Sequence, residues 1–141
     1  MILPDVNVLL YAFRRDAPRH VEYREWLEGV VNAPAAYGIA PQVLASVIRI
    51  STHARIFAQP SALEEAIEFC RVLQAPENCT VVQPGERHWD IFAGLCAKGG
   101  ATGNLVQDAW FAALAIEAGC EWVTTDRDYS RFPGLRWRAP F

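Results

Sequence analysis

The chain has almost no lysine. Lys98 stands alone among 13 basic residues, and the other twelve are arginines. It also lacks any excess of positive charge, because 16 acidic residues leave a formal net charge of −3. A general basic field that draws in nucleic acid is thereby excluded. No apolar run approaches the roughly 20 residues needed to span a bilayer. No basic segment followed by an apolar stretch and a small-residue cleavage site opens the chain, so no signal peptide is read and a cytoplasmic location is expected. The four cysteines, Cys70, Cys79, Cys96 and Cys120, are widely spaced and match neither a zinc pattern nor a CxxC redox motif. A disulfide framework is not expected in a reducing compartment, and the four read as small core residues, with Cys79 beside a loop. Repeats, low-complexity tracts and linkers are absent as well.

What remains is globular. With 141 residues, 52% hydrophobic and 21% charged, the chain is expected to form a single domain over residues 1–141 with a substantial core. The arginine bias has two readings: a GC-rich genome, and a preference for the planar fork that suits phosphate. The two are compatible.

Apolar periodicity supplies the elements. Ile2–Pro4 reads as a short strand running straight into a helix from Val6 to Phe13. Val21 to Val31 is helical, with Tyr23, Trp26, Leu27, Val30 and Val31 along a broad stripe. Tyr37–Ala40 reads as a short strand. Pro41 suits a helix start, and Val43, Leu44, Val47 and Ile48 follow at helical spacing. Ser61 with Glu64 three residues on is a capping box opening a helix that runs to Leu73. Thr80–Gln83 is a strand, Glu86–Lys98 a helix, Leu105–Ala118 a helix stopped by Gly119, Trp122–Thr125 a buried strand, and LRWRAP a last short strand. Helices alternating with short apolar strands imply an α/β fold with a parallel sheet covered on both faces. Ligands of such sheets bind outside the carboxyl ends of the strands.

That rule bears on PDVN, where Asp5 interrupts an apolar run at the end of the first strand. Asp126 lies at the same end of the WVTT strand. Asp108 is expected in the first turn of its helix, in NLVQDAWFAALAIE, and Asp128 follows in TTDRDYSRF. Taken singly, each aspartate has a plain explanation as a cap, a turn former or a partner of the helix dipole. Taken together, they form a carboxylate cluster whose mutual repulsion calls for a divalent cation. Oxygen ligands suit Mg²⁺ or Mn²⁺, which activates water and neutralises charge on a phosphodiester.

The opening PDVNVLLYAF, the central NLVQDAWFAALAIEAG and the terminal TTDRDYSRFPGLRW resemble the PIN-domain ribonucleases, above all the VapC toxins of bacterial toxin–antitoxin pairs. The resemblance covers essentially the whole chain, in order. It implies a three-layer α/β/α fold, Mg²⁺- or Mn²⁺-dependent cleavage of RNA (often structured RNA such as tRNA), neutralisation by a small cognate antitoxin, and a homodimer. No membrane partner is implied. Asp5, Asp108 and Asp126 match the family's acidic ligands and Asp128 a further aspartate. Asn7 and Thr125 match polar neighbours that orient the cluster. The glutamate usual after the second strand is missing, and Ser46 holds its place in APQVLASVIRI. A hydroxyl is a far weaker metal ligand, so the departure bears chiefly on a second metal ion.

Several residues carry two readings. Ser46, Arg49 and His53 at i, i+3 and i+7 are expected to share a helix face opposite the apolar one, either as solvated surface or with Arg49 at the rim of the acids. Arg127 and Arg131 are positioned to pair with the acids or to contact RNA phosphate. Arg14, Arg15 and Arg19 form a second basic patch. Tyr23, Trp26, Ile56 and Phe57 are core, or else an apolar groove for an antitoxin helix or a second copy. His88 and Trp89 read as structural. The leading reading is a metal-dependent endoribonuclease toxin. Its rivals are a non-catalytic RNA-binding or regulatory PIN module, suggested by Ser46, and a subunit of a protein complex whose aspartates are caps.

Overall fold

A computed structural model describes residues 1–141. Five short strands form one sheet: β1 (Ile2–Pro4), β2 (Tyr37–Ile39), β3 (Cys79–Val81), β4 (Glu121–Val123) and β5 (Trp137–Arg138). Their order is β3-β2-β1-β4-β5, and every pairing is parallel. Six helices connect them: α1 (Val6–Phe13), α2 (His20–Asn32), α3 (Pro41–Ser51), α4 (Leu63–Gln74), α5 (His88–Gly99) and α6 (Asn104–Ala118). A 3₁₀ turn over Arg127–Arg131 follows β4.

The topology places the functional edge. From β1 the chain steps outward through β2 to β3, then returns past β1 to β4 and β5. Parallel crossovers are right-handed, so connections running in opposite directions put their helices on opposite faces. The crossovers through α1 to α4 therefore cover one face, and α5 with α6 covers the other. The strand order reverses between β1 and β4, and at such a switch point the carboxyl ends diverge to leave a crevice.

The strands are held by buried apolar side chains. Leu3, Trp122 and Val123 are fully buried, as are Val8 and Leu9 of α1 and Leu114 of α6. The ring of Trp122 lies between Phe111 and Tyr129, with centroids 5.7 and 5.4 Å away. Gly38 in β2 is required by packing, because a Cβ there would stand 3.0 Å from a Val82 methyl and 3.2 Å from the Ile2 carbonyl oxygen.

Most expected elements appear with shifted ends, as frayed termini allow. The capping box does not form. The helix starts at Leu63 with Ala62 as its N-cap, because the Ser61 hydroxyl instead accepts from Arg14 at 3.1 Å. The strand expected at Thr80–Gln83 is Cys79–Val81, an edge strand with Val81 48% exposed. α5 starts at His88 rather than Glu86, since the Glu117 carboxylate accepts the backbone N–H groups of Gly85 and Arg87 at 2.6 and 2.8 Å. That carboxylate, supplied from α6, holds the preceding loop open. The four cysteines are free: Cys70 and Cys120 are buried, Cys79 and Cys96 partly so. No helix is long and apolar enough to cross a membrane.

Candidate active site

Asp5 is 5% exposed. It follows β1 directly and caps α1: its Oδ1 accepts the Val6 N–H at 2.6 Å, and its own N–H donates to the Val123 carbonyl at 2.9 Å. The second carboxylate oxygen accepts the Thr124 hydroxyl at 2.6 Å. Thr124 is fully buried and its oxygen is a hub, accepting the Asp126 N–H at 3.0 Å and the Asn7 side-chain amide at 3.4 Å. The ends of β1 and β4 are thus tied by one hydroxyl. Thr125, expected to orient the cluster, is exposed, and Thr124 does this instead. The reason is where the chain leaves the sheet: the Thr124 N–H still donates to the Arg138 carbonyl at 2.9 Å, whereas Thr125 lies in the bend beyond it.

Asp126 caps the 3₁₀ turn, its Oδ1 accepting the Asp128 N–H at 2.8 Å. Asp128 is exposed, and its Oδ1 lies 3.5 Å from an Arg131 guanidinium nitrogen. Asp108 is partly buried. It sits in the second turn of α6, not the first, because that helix starts at Asn104. The dipole explanation for this acid is correspondingly weakened. The Tyr129 hydroxyl, buried within the cluster, donates to Asp108 at 3.4 Å. Tyr129 is the residue that sequence reasoning passed over. Its place in DRDYSRF marked it only as an aromatic after an acid.

These groups feel one another. Burial pushes the Asp5 carboxyl up to about 7, against 3.8 ordinarily, and the charges of Asp108 and Asp126 add to this. Its bonds from Thr124 and Val6 oppose the rise. Asp108 is raised by burial and then by Asp126, with Tyr129 opposing. Burial lifts the Tyr129 phenol far above its usual range, and the Asp5, Asp108 and Asp126 charges push it further. The phenol is therefore always a donor here.

As they stand, the side chains do not close three His, Cys, Asp or Glu ligands round one point. Both Asp5 oxygens, one of Asp126 and one of Asp108 are turned to internal donors. The chemistry of the set nonetheless suits a hard dication. The charges of Asp108 and Asp126 raise the proton affinity of Asp5, that of Asp126 raises Asp108, and the Asn7 Oδ1 is buried with no donor facing it. An orphaned carbonyl-type oxygen beside clustered acids matches an oxygen-liganded cation.

Other expectations change. Ser46 is buried in α3, Arg49 is exposed and His53 lies beyond the helix, so the three do not share a solvent-facing side. α3 packs between α1 and α4, which makes its buried face broader than the apolar pattern suggests. Neither Ser46 nor Arg49 hydrogen-bonds to the acids. Arg14 is buried rather than part of a surface patch: it pairs with Asp16, donates to the Gln59 carbonyl at 2.9 Å and lies 3.7 Å from the centre of the Phe57 ring. Arg19 pairs with Glu22. His88 is buried with its Nε2 3.0 Å from the Trp110 carbonyl, whereas Trp89 is 65% exposed. Tyr23 belongs to the core and Phe57 lies under Arg14. A large groove of mixed lining, about 1040 Å³, runs instead between α2 and α4, where Leu27, Val31, Phe69 and Val72 face it beside Arg24, Glu28 and Glu65.

The PIN domain family matches residues 2–135. This chain belongs to that family. It is 40% identical over 140 residues to the VapC ribonuclease Mb2897 of Mycobacterium bovis, covering 99% of this chain and 95% of that protein. It is 37% identical to ribonuclease VapC25 of Mycobacterium tuberculosis, covering 99% of each. Among solved structures, its PIN fold matches VapBC2 from Rickettsia felis, bound to a fragment of its promoter DNA, with a TM-score of 0.69 at 19% identity over 99% of this chain and 98% of that one. The α/β/α fold expected from the sequence is thus the fold found.

Proposed function

We propose that this PIN-domain protein is a Mg²⁺- or Mn²⁺-dependent endoribonuclease, the toxin of a type II toxin–antitoxin pair, acting on structured RNA such as tRNA. The observation that supports the reading is the placement of Asp5, Asp108 and Asp126, from three distant segments, at the switch point of the sheet, where the charges of Asp108 and Asp126 raise Asp5 and that of Asp126 raises Asp108. Relatives named VapC ribonucleases at 36–40% identity support it.

Asp5, Asp108 and Asp126 would hold the ion, which when bound supplies an activated water and offsets charge on the phosphodiester. Thr124 fixes Asp5 through a short hydrogen bond and ties it to the backbone of Asp126. Tyr129 holds Asp108 from inside the core. Asn7 presents its unpaired oxygen to the same region. Asp128 and Arg131, paired at the rim, keep the exposed side adjustable. Hydrolysis of this kind leaves 5′-phosphate and 3′-hydroxyl ends and does not use the RNA 2′-hydroxyl as nucleophile. The groove between α2 and α4, with an apolar strip of Leu27, Val31, Phe69 and Val72 flanked by charged residues, is where an amphipathic antitoxin helix would lie.

Incubating the purified chain with total tRNA in Mg²⁺, in Mn²⁺ and in EDTA, beside Asp5→Asn, tests the reading. Discrete metal-dependent cuts that vanish in the variant are expected. A 2′,3′-cyclic phosphate product, or full activity in Asp5→Asn, would overturn it. A second reading, a non-catalytic RNA-binding module, rests on Ser46, a buried hydroxyl where the family usually carries a glutamate. It predicts RNA binding with metal bound and no turnover.

A further inference from the structure

Beside the acid edge lies a groove of opposite character. It holds about 400 Å³ and is walled by Arg19, Arg127 and Arg138, with no acidic side chain lining it. Thr124 also lines it, so the groove begins at the residue whose hydroxyl bonds Asp5. Two of the arginines are already engaged. Glu22 binds Arg19 through both carboxylate oxygens, at 2.8 and 2.6 Å, and Glu121 binds Arg138 at 3.1 Å. Arg127, exposed in the 3₁₀ turn one residue after Asp126, makes no side-chain hydrogen bond and no ion pair. It is the free cation nearest in sequence to the acids.

The far wall is aromatic. Phe141 is 49% exposed, yet its ring is supported from two directions. The Arg19 guanidinium lies 4.5 Å from the ring centre, and the Tyr23 ring meets it edge-on at 4.9 Å. A supported aromatic beside an unpaired guanidinium is the combination that single-stranded nucleic acid exploits. Cations follow its backbone, while bases stack on aromatic rings and guanidinium planes.

We propose that this groove is a nucleotide subsite: Arg127 holds the backbone phosphate adjacent to the one at Asp5, Asp108 and Asp126, and that nucleotide's base stacks on Phe141 and the Arg19 guanidinium. The proposal rests on the ribonuclease reading for its location, but it concerns holding RNA, not cutting it. Because a phosphate contact positions without reading sequence, and stacking tolerates every base, the subsite fixes the register of the strand and not the identity of its bases. It also explains how a chain of net charge −3 holds an anion next to its most acidic edge.

The test is a fluorescence titration of a labelled single-stranded RNA of about 12 nucleotides and mixed sequence into the full chain carrying Asp5→Asn, in Mg²⁺, over a range of salt. Adding Arg127→Ala is expected to weaken binding five- to tenfold and to lower the salt slope by about one, while Arg127→Lys keeps the slope. Adding Phe141→Leu is expected to weaken binding about threefold or more without changing the slope. A 5-bromouridine version of the RNA should crosslink within the segment Trp137 to Phe141. Unchanged melting temperatures exclude misfolding as the cause. Equal affinity and slope in Arg127→Ala, no RNA held by the parent chain, or an effect confined to capture of an antitoxin protein would each overturn the subsite. The two readings separate cleanly. Metal-dependent cuts with a KM unaffected by Arg127→Ala remove the subsite and keep the nuclease, whereas binding through Arg127 and Phe141 without any cuts does the reverse.

Discussion

The acid edge has two halves built on different principles. The Asp5 half is buried: both carboxylate oxygens are bonded, its partner Thr124 is fully enclosed, and burial raises its proton affinity. The Asp126–Arg131 half lies at the surface, on a single 3₁₀ turn, with Asp128 and Arg131 loosely paired at 3.5 Å. A buried carboxylate is costly to charge and cannot move, so it suits a fixed ligand whose proton is displaced by a cation. An exposed carboxylate costs little and can follow a substrate. The same residue type therefore serves two ends because its surroundings differ, and replacements in the two halves should have unequal effects.

The largest contrast is in activity. Asp5→Asn should lower metal-dependent RNA cleavage by about a thousandfold, about 4 kcal/mol of transition-state stabilisation, while leaving the fold intact. End-mapped tRNA cleavage reads the first and circular dichroism the second. Residual activity above a tenth of the parent would place the chemistry in the exposed half.

Next comes pH. The Asp5 carboxyl is raised in the folded chain, from 3.8 to about 7, so the fold binds this proton more tightly than the unfolded chain does. Its contribution is fully present below pH 4 and is lost as pH rises through 7. At about 1.4 kcal/mol per unit, metal-free protein should lose about 4 kcal/mol across that window, and Asp5→Asn should lose none of it. Urea unfolding in EDTA at pH 4.5, 6 and 8 measures the difference. Mn²⁺ should restore stability at pH 8 in the parent and not in the variant. A parent and variant with parallel pH profiles would show that burial of Asp5 is not what sets this half apart.

The same division decided what could be read from sequence. Asp5 and Asp126 were legible because both follow apolar runs that could only be strands, and the fold rule then puts strand ends on one edge. The sheet itself was legible for the same reason. Thr124 was not, because in WVTTDRD two threonines are adjacent and only the twist and exact end of β4 decide which one turns inward. Asp108 falls one residue deeper in its helix than the pattern predicts, which carries it out of the first turn, because α6 starts at Asn104 with Gly103 at a positive φ as its N-cap. Ser46 and Arg14 depart from their local pattern for a common reason. Each is a polar residue buried by tertiary packing that its own segment does not report: Ser46 lies on α3, which packs against both α1 and α4, and Arg14 is held by the Gln59–Ser61 loop. Local pattern reports which face of a helix is apolar, but not how many neighbours will cover it.

Thr124 and Thr125 offer a sharper version of the comparison within two adjacent residues. Thr124→Val keeps shape and removes the hydroxyl that donates to Asp5 and accepts from Asp126 and Asn7. It should cost about 2 kcal/mol, since a bond to a carboxylate is lost and a buried N–H is left unpaired. With that donor gone, the Asp5 carboxyl should rise further, and the midpoint of its pH-dependent stability should move upward. Thr125→Val, on the exposed side, should stay within about 0.5 kcal/mol.

The smallest effect belongs to the outer pair. Asp128→Asn removes a partner that Arg131 holds only at 3.5 Å in solvent, so stability should change by no more than about 0.5 kcal/mol. It is the backbone N–H of Asp128, not its carboxylate, that donates to the capping Asp126 carboxylate, and the substitution leaves that bond in place. Any larger loss on urea unfolding would mean the turn depends on the ion pair, and the exposed half would then be as rigid as the buried one. A fall in cleavage without a fall in stability would instead place Asp128 among the groups that meet the ion or the RNA. Asn at 128 keeps the size and the turn and removes only the charge, so the two outcomes separate a structural rim from a chemical one.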